Sequence, residues 1–152
     1  KIKAISDYQF GPEITDVLFA NPKKISILKS KNTGKIKYIR YDSEHLLTLR
    51  PSNGLFTINF QAASLIRTHC APPKLRAIVL TEISEFIKQG RNVFCKHVID
   101  IDKNLRPLDE VIIVNQEDEL LAIGKLKIPV LYVKSFDRGV AIKVRKGINS
   151  KI

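Results

Sequence analysis

Val140-Ala141-Ile142-Lys143-Val144-Arg145 alternates with a period of two. Successive side chains on an extended chain point to opposite faces, so Val140, Ile142 and Val144 share one face and Ala141, Lys143 and Arg145 share the other. Burying the aliphatic row therefore turns a row of cations toward solvent. The stretch from Leu120 to Ile128 behaves the same way: Gly124, Leu126 and Ile128 oppose Ile123, Lys125 and Lys127. Two such strands predict a sheet with one apolar face and one cationic face.

Working outward, short apolar runs predict further strands from Arg76 to Leu80, Val93 to Ile101 and Glu110 to Asn115. Thr81 to Gln89 reads as a helix with Ile83, Phe86 and Ile87 on one face. Glu82 and Glu85 lie near its positive end, and Gly90 is its natural stop. Five short strands and one main helix in about eighty residues predict a small barrel.

Ala71-Pro72-Pro73 separates this half from the rest, because two prolines cannot continue a helix and favour an extended, stiff linker. Before it, Gly11-Pro12 opens a helix carrying Ile14, Val17 and Leu18, and Asn21-Pro22 ends it. Two hairpins follow. Ile25 to Lys31 and Lys35 to Tyr41 flank Asn32-Thr33-Gly34, and Leu46 to Arg50 and Leu55 to Phe60 flank Pro51-Ser52-Asn53-Gly54. A short helix from Gln61 to His69 closes the unit. The chain thus reads as α+β throughout, with domains over residues 1–72 and 73–152.

Composition narrows the classes. Of 152 residues, 26 are Lys or Arg and 15 are Asp or Glu, a formal charge of +11, and 44% are hydrophobic. Such a chain folds, and its positive surplus suits a polyanion, foremost a nucleic acid. Eleven cations and five acids precede Ala71, and fifteen and ten follow from it, so the surplus is no terminal tail. No apolar run approaches the ~18 residues of a membrane span, and no signal-peptide pattern opens the chain. With only two cysteines, a reducing, cytoplasmic compartment is the expectation.

The second half resembles a PUA domain, an RNA-binding module. Four blocks in order carry the resemblance: Gly90-Arg91-Asn92-Val93-Phe94-Cys95-Lys96-His97-Val98, Leu105-Arg106-Pro107-Leu108-Asp109-Glu110-Val111, Glu119 to Lys125, and Gly139 to Arg145. The first half, through Asp7-Tyr8-Gln9-Phe10-Gly11, Thr33-Gly34-Lys35 and Leu49-Arg50-Pro51-Ser52-Asn53-Gly54-Leu55-Phe56, is similar to the domain preceding PUA in archaeal tRNA-guanine transglycosylase, the archaeosine family. The resemblance implies a small α+β domain followed by a mixed β pseudo-barrel with one main helix. Leu108 stands where that family usually has the Gly of a Pro-Gly-Asp turn, so a different turn is expected there.

The resemblance also implies that Arg91, Asn92 and Lys96 lie on the RNA side. Lys88 and Gly90 are counted with this RNA-binding set: Gly90, besides capping the helix, would let another backbone pass close to it, and Lys88 and Arg91 would offset the negative helix end. Phe94 reads as core. Lys125, Lys127, Lys143 and Arg145 form a second cationic set, placed by alternation as well as by family. Phosphate contacts from such residues supply affinity, and a folded RNA stem would be gripped by shape, phosphate and 2′-OH.

Catalysis finds little support. The transglycosylase family uses carboxylates at the mouth of a barrel and a zinc held by clustered cysteines. This chain has no Cys-x-Cys-x-x-Cys, no glycine-rich nucleotide loop, and an acidic cluster, Glu117-Asp118-Glu119, that reads as a solvated turn. His69, Cys70, Cys95 and His97 have the ligand count of zinc but not its spacing, so no metal or other cofactor is expected. The expectation is a non-catalytic tRNA-binding chain, acting as the recognition subunit of a split transglycosylase whose catalytic chain is separate. An adaptor acting in translation or ribosome assembly is the alternative.

Overall fold

A computed structural model describes residues 1–150 and divides into two units, Lys1–Cys70 and the chain from Ala71 onward. Residues 151 and 152, the end of the second predicted domain, lie outside the described residues.

The first unit starts with a helix that the sequence did not announce. α1 (Ile2–Phe10) has no side-chain N-cap and buries only Ser6 and Phe10, so no apolar stripe marks it. α2 (Pro12–Leu18) starts where expected, with proline in its first turn, and Gly11 makes the corner at φ 94°. The Thr15 hydroxyl donates to Ser6 Oγ at 2.7 Å and joins the two helices.

β1 (Ile25–Lys29), β2 (Ile36–Tyr41), β3 (Glu44–Leu49) and β4 (Phe56–Ile58) form an antiparallel meander in that order, and α3 (Phe60–His69) packs on it. Ile39, Leu47 and Ile58 stand opposite one another in register and are fully buried, which defines the inner face. The outer edge of β4 is capped by Gln9, whose carboxamide both donates to Phe56 O and accepts from Phe56 N at 2.8 Å. A side chain thereby supplies what a further strand would, and the edge is not left open.

The predicted linker is instead a tight turn. Lys74 N donates to Ala71 O and Arg76 N to Pro73 O, and the Pro72-Pro73 bond is cis. In the second unit β5 (Arg76–Val79) leads through a 3₁₀ turn (Thr81–Ile83) to α4 (Ser84–Lys88). The long strand expected from Val93 to Ile101 is two short ones, β6 (Val93–Phe94) and β7 (Val98–Ile101), split by a 3₁₀ turn at Cys95–His97. β8 (Glu110–Val114), β9 (Leu120–Leu126), a short helix α5 (Val130–Val133) and β10 (Val140–Gly147) follow.

The strand order is β6-β10-β9-β8-β5-β7, with β5 and β8 parallel and all other pairs antiparallel. The two edge strands, β6 and β7, are consecutive in the chain and separated by only the 3₁₀ turn. That short tether brings the two edges of the sheet together, giving a nearly closed pseudo-barrel of mixed strands. The split of the predicted strand is therefore what nearly closes the barrel. β8, at the middle of the order, is buried at every position.

Leu108 adopts φ 75°, and its N–H donates to Leu126 O at 2.7 Å. The positive-φ turn that glycine would favour forms with leucine in it, braced by Asp109, whose carboxylate accepts from Arg106 N.

Candidate nucleic-acid interface

The α4 end, the loop after it and strands β9 and β10 carry the predicted residues. Gly90 closes α4 at φ 100°, with Gly90 N donating to Ile87 O and Arg91 N to Phe86 O, the paired bonds of a Schellman cap. The backbone that comes close belongs to the chain itself: a Cβ on Gly147 of β10 would collide with Lys88 O and the Gly90 nitrogen. This contact seats the cationic loop beside the end of β10.

Lys88 departs from expectation. Its ammonium lies 2.8 Å from Glu119 and 3.5 Å from Glu85, so two carboxylates already cancel its charge. The hydrogen bond to Glu119 chiefly raises the Lys88 pKa, and its counterpart lowers that of Glu119. Lys88 ties α4 to the β8–β9 turn and carries its charge within two ion pairs.

Arg91 is exposed, its guanidinium 5.9 Å from the Phe86 ring centroid. Phe86, placed on the apolar face by helical spacing, is itself 56% exposed, because the first turn is 3₁₀ and α4 has only five residues. Asn92 turns its side-chain oxygen inward to accept from Val144 N at 3.0 Å, anchoring the loop to β10. Phe94 is not core. It is 45% exposed, between buried Val93 and buried Cys95, at the point where the chain leaves β6 for the 3₁₀ turn. Phe94 and exposed Lys96 line an open groove with Asp137, Arg138 and Gly139.

Across the sheet, Lys143 on β10 stands opposite Lys125 on β9, which stands opposite Glu110 on β8. Like charges side by side repel, and Glu110 is the neighbouring carboxylate that moderates them. Arg145 reaches the same carboxylate, Nη1 to Oε1 at 2.6 Å. A register shift between Val144 and Lys146 makes Arg145 the extra residue of a bulge, which re-aims its side chain. Lys127 is exposed just past β9, held by its backbone N–H on Ala141 O. The structure thus sets Lys143 opposite Lys125 and Lys125 opposite Glu110, which Arg145 also reaches, with Lys127 just past the end of β9.

Two family models account for nearly the whole chain: the patch-forming domain C2 of tRNA-guanine transglycosylase over residues 1–73 and the PUA domain over residues 76–148. The chain is a PUA-domain protein resembling the C-terminal part of archaeal tRNA-guanine transglycosylase. It is 42% identical over 149 residues to the tRNA-guanine(15) transglycosylase of Methanobrevibacter smithii, covering 97% of this chain and 22% of that protein. It is 37% identical over 147 residues to the enzyme of the same name from Thermococcus onnurineus, with 97% and 25% covered. The chain therefore spans about a quarter of the length of these curated relatives, and matches their C2 and PUA parts rather than the catalytic domain. Among solved structures, a hypothetical protein of Pyrococcus horikoshii matches with TM-score 0.77 at 23% identity, over 99% of this chain and 89% of that one. A PUA domain from Aeropyrum pernix matches at 0.61 and 11%, over 83% and 69%. These two show the fold.

The PUA unit also carries groups that sequence reading passed over. Arg138 in the groove precedes Gly139 and β10, and its signal was present in that adjacency. In the C2 unit, residues 22–41 contain seven Lys or Arg and no acid, so the β1–β2 hairpin is a concentrated cationic element. Windowed charge counting finds it, while a count over each half averages it away. Cys70 lies in the C2 unit and Cys95 in the PUA unit, both buried, and burial raises the Cys95 thiol pKa. Among the described residues no group of three or more His, Cys, Asp or Glu is arranged to hold a metal ion, and no helix is long and apolar enough to cross a membrane.

Proposed function

We propose that this chain binds tRNA, and that it is the non-catalytic recognition subunit of a split tRNA-guanine transglycosylase acting in the cytoplasm in archaeosine modification. A separate chain carries the catalytic barrel. The paired lysines carry the reading. Lys143 and Lys125 are held opposite each other on adjacent strands, where one polyanion can sit across both. Arg91, Lys96 and Lys127 extend the positive surface, Arg145 shares its charge with Glu110, and Gly90 and Asn92 hold the loop in place. The resemblance of the whole chain to the C2 and PUA parts of the transglycosylases supports the tRNA-binding part of this reading. On this reading the chain contributes positioning while its partner exchanges the base.

Titrating the chain with a tRNA transcript over a range of salt tests the RNA half. With about five phosphates engaged, log K falls against log salt with a slope of roughly −4 to −5. A slope near zero overturns it. Affinity purification tests the partner half: a transglycosylase barrel chain lacking its own PUA end is the expected companion. Recovery with ribosomal particles and no such chain overturns that half.

A further inference from the structure

The segment between β9 and β10 displays its apolar side chains instead of burying them. In α5 and the turn after it, Val133 alone is buried, while Leu131 is 78% exposed and Tyr132 and Phe136 are each 47% exposed. The two rings lie parallel, at an interplanar angle of 2° with centroids 5.5 Å apart. The turn is braced locally: Tyr132 N donates to Pro129 O at 2.9 Å, and Ser135 N and Phe136 N both donate to Tyr132 O at 3.1 Å. A stacked pair on a braced turn anchored by Val133 is a prepared surface.

We propose that Tyr132 and Phe136 form a stacking platform for an unpaired base of the bound RNA. Charge selects the occupant. Residues 125–146 hold seven Lys or Arg against one acid, Asp137. Although Lys134 pairs with Asp100 and Arg145 with Glu110, the segment keeps a positive excess with Lys127, Arg138 and Lys143 exposed, which favours an anionic ligand. Parallel flat rings extend naturally to a third planar group, and a base supplies both that plane and its phosphate. Bases inside a duplex are already stacked on each other, so an unpaired nucleotide is required. The inference rests on the RNA-binding reading above and adds to it a contact that is not electrostatic.

The test compares a blunt RNA duplex with the same duplex carrying a short single-stranded extension, using the 152-residue chain. The extension is expected to strengthen binding roughly tenfold, and Tyr132→Ala/Phe136→Ala to remove that gain without altering the blunt duplex or its salt slope. Tyr132→Phe/Phe136→Tyr keeps both rings and should keep the gain. An undiminished gain in the alanine variant overturns the platform while leaving the RNA-binding reading intact. So does equal loss in the ring-preserving variant, or loss of affinity only for a protein partner. If the unaltered chain binds neither RNA at low salt, the platform and the RNA-binding reading fall together.

Discussion

Arg145 Nη1 lies 2.6 Å from Glu110 Oε1, although β9 runs between the strands that carry them. The Glu110 side chain is fully buried and that of Arg145 is one-third exposed, so the bulge delivers a surface cation to an interior carboxylate. Exchanging Glu110 for Gln keeps the shape and removes the charge. It should lower stability by about 1–3 kcal/mol in denaturant titration, the loss of a charge-assisted hydrogen bond with a partly solvated partner. It should also tighten tRNA binding and steepen its salt slope by about one unit, because Arg145 is released to phosphate.

Lys88 and Glu119 make a pH signature. The Lys88 pKa is raised, chiefly by its bond to Glu119, so its stabilising share is complete below the ordinary lysine value of 10.5 and vanishes as pH climbs through the raised one. Glu119 is lowered, chiefly by Lys88 and then by Asn115, so its share is complete above 4.5 and vanishes as pH falls through the lowered value. Tm against pH should therefore drop at both extremes. Lys88→Met should shrink the alkaline drop and weaken the acid one, and should weaken tRNA binding modestly, since Glu85 and Glu119 are left without their cation.

Arg91, Lys96 and Lys143 are exposed and lie on the loop after α4, the 3₁₀ turn and β10 respectively. Reversing all three to Glu should abolish tRNA binding in a gel-shift titration while changing stability by only about 0.5 kcal/mol per site. Retained binding would show that the RNA rests elsewhere.

Two glycines are structural. A Cβ at Gly124 would strike Lys143 O, and one at Gly147 would strike Lys88 O, both of them backbone atoms that cannot rotate aside. Alanine at either position should cost more than about 2 kcal/mol by thermal unfolding. Gly34, at φ 68° with nothing within 4 Å of an added Cβ, is the contrast, and alanine there should cost about 1 kcal/mol.

Much of the fold was legible because its signals are local. The period-two rows in β9 and β10, the turn residues between β1 and β2, and Gly90 after α4 each act within a few residues. α1 was hidden because it is held by long-range contacts, notably Gln9 on Phe56, and not by an apolar stripe of its own. The break at Cys95–His97 was hidden because closing the barrel, not local preference, demands it.

By itself the sequence determined that Val140, Ile142 and Val144 alternate with Ala141 and Lys143, since successive side chains of an extended chain point to opposite faces. The bulge that re-aims Arg145 belongs to the tertiary structure. Which cations remain available was decided only in three dimensions. Lys88, Lys143 and Arg145 look alike along the chain, yet Lys88 meets Glu119, Arg145 meets Glu110 through a bulge, and Lys143 faces another lysine. The electrostatic field at a side chain depends on neighbours tens of residues away, and only folding brings them within a few ångströms.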